Sequence, residues 1–493
     1  MHNNKYIIQL LIITACMFAA NTIVKGQGNT VYYMGTLPQS YFMNPATQPQ
    51  CDVYIGLPVA SQINARVTTG SLSAGDFFFK DPLSDSVITW THPNADPNDL
   101  LAKLNKVETW GGTIDFSLVS FGFRVKDMYF SFDAAVRNSI TTSLSKDYVE
   151  FAWLGNENDR TYDFSDMGVE VMEYMEFGVN ISRHFGDQLQ IGIRPKMLFG
   201  LATISTLSNS TTLYTSTEEW VLNSNAEARF AATGVTIPVD EEGNIDWDQD
   251  FEFDSTIFSP TGYQKILSKN RGWGIDIGAH YKPIDNLQVS LSVLDLGYIK
   301  WRESTHVAEV NGTYVYDGLE ADSVFDGGDF GQALLDTLKE NLNVTQSAGT
   351  FTTTLNPKLF VGARYFLTPG FDIGILSRTE FLPSYINQDL LLLANWHPIP
   401  MISISGSYNL LSKTHSTFGL GLGLKLGPFN VYTVLEDVPF KYDIVREGGA
   451  PIPLPVEQNN YNVRFGVNLV FGCNQKKKQK NNKPLFNSSD WIL

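Results

Sequence analysis

Tyr461-Asn462-Val463-Arg464-Phe465-Gly466-Val467-Asn468-Leu469-Val470-Phe471, near the end of the chain, decides the fold. Val463, Phe465, Val467, Leu469 and Phe471 fall on one face of an extended strand, and Asn462, Arg464, Gly466 and Asn468 on the other. A single strand of this kind would also suit a soluble core. The pattern recurs, however, along most of the chain. Met128, Phe130, Phe132, Ala134 and Val136 oppose Tyr129, Ser131, Asp133 and Arg137, while Phe418, Leu420, Leu422, Leu424 and Leu426 oppose Gly419, Gly421, Gly423 and Lys425. Alternation sustained over many segments of about ten residues is the signature of a transmembrane antiparallel up-and-down β-barrel, all-β in class.

Fourteen such segments can be placed: 51–67, 113–125, 128–142, 170–184, 188–207, 271–283, 286–303, 349–366, 370–382, 387–397, 400–411, 415–427, 428–437 and 460–472. Near Val119-Ser120 the phase slips by one, the mark of a β-bulge. Alternate links are short, such as Lys126-Asp127, Gly186-Asp187, Thr368-Pro369 and Gly427, whereas 68–112, 143–169, 208–270, 304–348 and 438–459 are long. Short turns at one rim and mostly long loops at the other are how outer-membrane barrels are built, with the short rim in the periplasm. The closing aromatic Phe471 fits the signal by which such barrels are recognised by the barrel-assembly machinery during insertion.

Composition agrees. Apolar residues make up 43% and charged residues only 18% of 493, a poor match to disorder. After Asn21 no apolar run is long enough for a membrane helix, which a barrel does not need. The net charge of −17 argues against nucleic acid as a partner. Residues 1–26 read as a cleaved signal peptide, with Lys5 before the apolar Tyr6–Ala20 and a cut ahead of Gln27. Ile13-Thr14-Ala15-Cys16 is a loose lipoprotein box, but the apolar run continues past it. Losing Lys5 and Lys25 with the leader takes the charge from −17 to −19. The expected organisation is a leader at 1–26, a periplasmic or plug arm at 27–50, a barrel at 51–473 and a basic tail at 474–493.

Leu37-Pro38-Gln39-Ser40 through Asn44-Pro45-Ala46, then Cys51-Asp52-Val53-Tyr54-Ile55-Gly56-Leu57-Pro58, together with Leu118–Val125, resemble a Bacteroidota outer-membrane β-barrel family of unassigned function. Asn-Pro-Ala ahead of a first strand is also similar to the N-terminal segment of FadL-type channels and of barrels tied to type IX secretion. The resemblance implies location and architecture, and no activity. It makes Asn44, Pro45 and Ala46 candidates for a lumen plug.

A closed barrel sends its apolar row to outer-membrane lipid and the alternate row to the lumen. The lumen row carries both signs, at Asp115, Arg124, Asp133, Arg137, Glu176, Arg194, Asp276, Arg364, Asp372 and Arg464, so ion pairs are expected there. Tyr174, Trp273, Tyr281, Trp301, Tyr365 and Trp396 are expected in interfacial girdles. Cys51 and Cys473 flank the first and last strands, which are neighbours in a closed wall, so they form either a seam-stapling disulfide or two free thiols. Asp246, Asp248 and Asp250 alternate in the longest loop as a Ca²⁺ candidate, against a solvated acidic hairpin. Asp96–Asn105 and Asp329–Leu338 read as helices in loops, forming a lid or lying over the rim. The Gly419, Gly421 and Gly423 row makes room inside the barrel.

No catalytic motif or cofactor loop occurs, and His184 and His280 sit near strand ends as rim or lumen residues. Two functions fit: a transport channel for small or hydrophobic molecules, or a non-catalytic anchor of a secretion or surface-assembly apparatus.

Overall fold

The computed structural model describes residues 29–473 except 82, 84–85, 237, 239–248, 250–251, 317–342, 383–385, 412–417, 439–440, 448–449 and 456–458. Fourteen antiparallel strands make the wall. They are β1 (Val53–Gly56 and Ile63–Thr69), β2 (Val107–Val125), β3 (Met128–Ser145), β4 (Gly168–Phe185), β5 (Leu189–Thr215), β6 (Arg271–Ile284) and β7 (Leu287–Trp301). They continue with β8 (Phe351–Thr354 and Lys358–Thr368), β9 (Phe371–Phe381), β10 (Ile386–Ile399), β11 (Ile402–Asn409), β12 (Phe418–Leu426), β13 (Phe429–Val438) and β14 (Asn460–Phe471). Each pairs with the next. The ring then shuts, with Val53 opposite Phe471 and Ile63 opposite Phe465. Closure gives every wall strand a neighbour on both sides, which a lipid environment requires of a sheet.

Two strands read as continuous are broken. Residues 57–62 leave the β1 ladder where Pro58 lacks an N–H and Val59 takes a φ of 63°. In β8, Leu355–Pro357 interrupts, again at a residue without a donor. The phase slip in β2 is a register shift between Ser117 and Val119 against β3.

Large apolar side chains such as Ile114, Leu291, Leu392, Leu420 and Val463 stand exposed around the outside. Contiguous apolar exposure on this scale marks a surface made for lipid. Trp273, Tyr281, Tyr365 and Trp396 belong to it. Trp301 and Tyr174 do not. Trp301 is 0% exposed and packs with Met172, Leu198 and Phe351. The cause is Asp295, whose φ of 60° bulges β7 and flips the phase of the residues beyond it. Tyr174 lies two residues from the inward Glu176 and shares its face.

At the rim of short turns, Lys126, Gly186 and Gly427 take positive φ. The opposite rim is heavily built. The segment after β5's wall portion runs on to Thr215 and pairs with Trp220–Ala232, then Thr305–Tyr316, then Asn343–Ser347, a sheet standing above the wall. These strands lie in the stretches expected to be loops. Helices Pro97–Lys103 and Lys146–Leu154 cover the mouth over β1–β3, packing Leu100, Leu101 and Val149 against Trp90, Trp110 and Trp153. Asp96 caps the first of them by accepting from the Asn98 N–H. The helix expected at 329–338 lies outside the described residues.

Candidate functional site

The arm preceding β1 fills the half of the lumen nearest the short-turn rim. Two 3-10 turns, Thr30–Tyr33 and Pro38–Phe42, bury Val31, Tyr32, Met34, Leu37 and Tyr41 against the inner wall. Small inward residues make the seat. Gly192 and Gly278 are cross-strand partners on β5 and β6, and a Cβ on either would overlap Pro45 or Asn44. Gly419, Gly421 and Gly423 form a track under Thr30, Met34 and Leu37.

Polar contacts fix the register of the arm. Asn44 Nδ2 donates to Tyr32 Oη at 3.0 Å and to Leu291 O at 3.3 Å, while its Oδ1 accepts from the Ala46 N–H at 3.0 Å. Ser292 Oγ donates to Met43 O at 2.8 Å. Gln39 and Asn468 exchange amide hydrogen bonds. Thr47 Oγ1 and His280 Nε2 are hydrogen-bonded at 2.9 Å, and Arg124 donates to Gln48 and to Pro49 O. Cys51 and Cys473 are joined by a disulfide, with Cα atoms 4.0 Å apart, where the arm enters the wall.

Above the arm runs a belt of buried charge. Arg194 donates to Asp133 at 2.5 Å, Glu176 at 2.6 Å and Asp276 at 2.8 Å. Arg137 also reaches Glu176, at 2.9 Å. Lys196 bridges Asp276 (2.8 Å) to Asp295 (2.5 Å), and Lys358 takes the other Asp295 oxygen at 2.6 Å. Arg378 binds Glu380 (2.7 Å) and Asp389 (3.1 Å). Apart from this belt, Arg364 pairs with Asp372 at 2.5 Å, and Arg464 donates to Asn64 at 3.2 Å. The belt links β3 through β10. Buried charges survive only when paired and hydrogen-bonded in this way. It also grips the arm: Tyr41 Oη donates to Asp133 at 3.2 Å, and the Arg194 guanidinium lies 4.9 Å over the Phe42 ring.

Sequence parity thus places Asp133, Arg137, Glu176, Arg194, Asp276, Arg364, Asp372 and Arg464 on the inner face. It missed Lys196, Asp295, Lys358, Arg378, Glu380 and Asp389. Lys196 shares a row with Arg194, and Arg378 and Glu380 share one with Asp372, so alternation contained them. Asp295 needed the bulge. Asp246, Asp248 and Asp250 lie outside the described residues, and no group of three or more potential ligands occurs among the described ones.

Between the arm and the built rim lies a chamber of about 260 Å³. Arg66 and Arg464 line one wall and Glu170 another, with Asp115, Arg137 and Lys358 between.

The profile "Family of unknown function (DUF5723)" matches residues 45–436. The chain belongs to this family. The matched DUF5723 span opens at Pro45, inside the arm, and ends at Glu436, inside β13, so it holds the belt but neither Asn29–Asn44 nor β14. Among solved structures the chain is similar to the toluene transporter TbuX of Ralstonia pickettii, at 9% identity over 88% of this chain and 93% of that one, TM-score 0.38. It is similar to a FadL homologue of Pseudomonas aeruginosa at 9% identity over 92% and 100%, TM-score 0.39. The toluene transporter TodX of Pseudomonas putida is 8% identical over 91% and 99%, TM-score 0.39. No curated protein matches the sequence.

Proposed function

We propose that this protein is a gated channel of a Gram-negative outer membrane, closed by its own N-terminal arm, for small polar solutes. The supporting observation is the chamber on the built side of the arm. It is lined by Arg66, Arg464 and Glu170, which make no ion pair with one another among the described residues and face the same space. Phe42, Met172, Leu294 and Phe360 share the lining, so the chamber suits a small solute that carries charge or several hydrogen-bonding groups beside an apolar part, and a bare hydrocarbon would leave the charged groups unmet. Of the cargoes expected from the sequence, small molecules therefore fit better than hydrophobic ones. The closely fitted arm supports a second reading, a sealed barrel serving as a surface anchor.

Conductance in planar bilayers separates the two. The mature protein is expected to be closed, and a Gly278→Val variant, in which the arm cannot seat, is expected to conduct steadily. Heat-modifiable gel mobility shows whether the variant's barrel is intact. An intact barrel that stays sealed without its arm seated would overturn the channel and leave the anchor.

A further inference from the structure

The belt accounts for most of the charge around the chamber. Asp115 and Glu176 are paired with Arg137, Asp295 with Lys358, and Glu380 with Arg378. Arg66, Arg464 and Glu170 stand outside these pairs. Arg66 is within electrostatic reach of Glu380 and Asp437, and Arg464 of Glu436, but among the described residues neither guanidinium has a carboxylate at ion-pair distance. Arg464 is held by its Nε, which donates to Asn64 at 3.2 Å, while Asn64 gives its amide to Asp115 at 3.2 Å. Glu170 has no cation at ion-pair distance among the described residues. Strand register places the three groups. Arg66 faces Asn462, two residues from Arg464, so the two guanidiniums are diagonal neighbours on β1 and β14, roughly 7–8 Å apart at their bases. On its other side Arg66 faces Thr113, Thr113 faces Ser139, Ser139 faces Met172, and Glu170 shares that face of β4. Three strand spacings separate β1 from β4, roughly 14 Å. The inward side chains between them are Gly111, Thr113, Ser139 and Thr141, all small. The wall is hollowed between a positive side and a negative one.

We propose that the chamber binds small zwitterions with an apolar side chain, an amino acid or a dipeptide, carboxylate on Arg66 and Arg464 and ammonium on Glu170. Neighbouring guanidiniums suit a carboxylate, whose two oxygens each accept charge-assisted hydrogen bonds. Across the hollow, the Glu170 carboxylate accepts from the ammonium. An extended dipeptide measures at most about 7 Å, and the inward reach of the arginine and glutamate side chains closes the rest of the gap. Phe42, Leu294 and Phe360 give the ligand's side chain an apolar surface. A molecule with one charge leaves one side of the chamber unmatched, and a hydrocarbon leaves both. The separation of signs thus selects by charge pattern, where the volume of about 260 Å³ selects by size. This inference rests on the chamber being the solute site of the channel reading, and it narrows the solute class.

The test is isothermal titration calorimetry on mature protein in mild detergent. The probes are the dipeptide alanylleucine, its N-acetyl form and its C-terminal amide, offered to wild type and to Gly278→Val, whose displaced arm opens the chamber from below. Alanylleucine is expected to bind on the order of tenfold more tightly than either blocked form, the loss of one charge-assisted contact. Glu170→Gln is expected to abolish the preference over the N-acetyl form and keep that over the amide. Arg66→Gln is expected to weaken the preference over the amide and keep that over the N-acetyl form. Heat-modifiable mobility shows that each variant's barrel is intact, and the comparison of probes on wild type stands even where a variant fails to fold. Equal binding of the three probes, or no binding of alanylleucine to either wild type or Gly278→Val, would overturn the site. Conductance does not enter, so a barrel that binds the zwitterion and never conducts loses the channel and keeps the site.

Discussion

Gly192 of β5 and Gly278 of β6 are cross-strand partners, and the space between them and the lumen axis holds the backbone of Pro45 and the side chain of Asn44. Two neighbouring strands thus give up their inward side chains at one level, and a passing segment takes the room. Wall and arm are fitted to each other here, which a one-residue change can probe.

Gly278→Val should displace the arm. Its Cβ would meet Asn44 Oδ1 and Pro45 Cδ, and overpacking of this kind costs about 1–3 kcal/mol. Gly406→Val is the control, because nothing lies within 4 Å of a Cβ there. Limited proteolysis should cut the arm in the first variant and spare it in the second.

Arg194→Met should be among the most damaging single changes. It leaves Asp133, Glu176 and Asp276 without their shared cation, and removing one partner of a buried charge cluster costs about 3–5 kcal/mol. Lys103→Ala, which breaks an exposed pair with Asp76, should cost no more than about 1 kcal/mol. Urea unfolding midpoints of the two variants give the comparison.

Asn44→Ala removes the donor to Tyr32 and the acceptor for the Ala46 N–H. Leaving buried partners unmet costs about 1–3 kcal/mol. Hydrogen exchange should accelerate in residues 30–47 while the wall strands keep their protection. A uniform acceleration would mean that Asn44 holds the whole barrel rather than the arm.

Cys51→Ser should weaken the seam without opening it, since β1 and β14 stay paired on both sides of residues 57–62. The bond spans 422 residues, and stabilisation by a disulfide grows only slowly with loop length, so about 2–4 kcal/mol is expected. Reductant should lower the wild-type unfolding midpoint by the same amount and leave the variant unmoved.

The wall was legible because lipid outside and charge inside force a period of two on every strand. That rule carried the inner row from Asp133 to Arg464. It failed where the backbone changed phase: the bulge at Asp295 sends Trp301 inward, though sequence spacing alone puts it in a girdle. It also failed above the bilayer. Trp220–Ala232 and Thr305–Tyr316 pair along their lengths, and the alternation they carry, Leu222, Ala226, Ala228 and Phe230 against Asn223, Asn225, Glu227 and Arg229, is too rich in small residues to stand out from a loop. The arm's seat was half visible, as Asn44-Pro45-Ala46 on one side. Its receiving glycines could not be matched to it without coordinates.

The bond between Cys51 and Cys473 also keeps time. Its two sulfurs belong to opposite ends of the ring and meet only once every intervening strand has taken its place. If Cys16 departs with the leader, no third thiol remains to compete. A barrel stalled midway through assembly would carry two free thiols, and a finished one none, so a thiol count reads how far construction has gone.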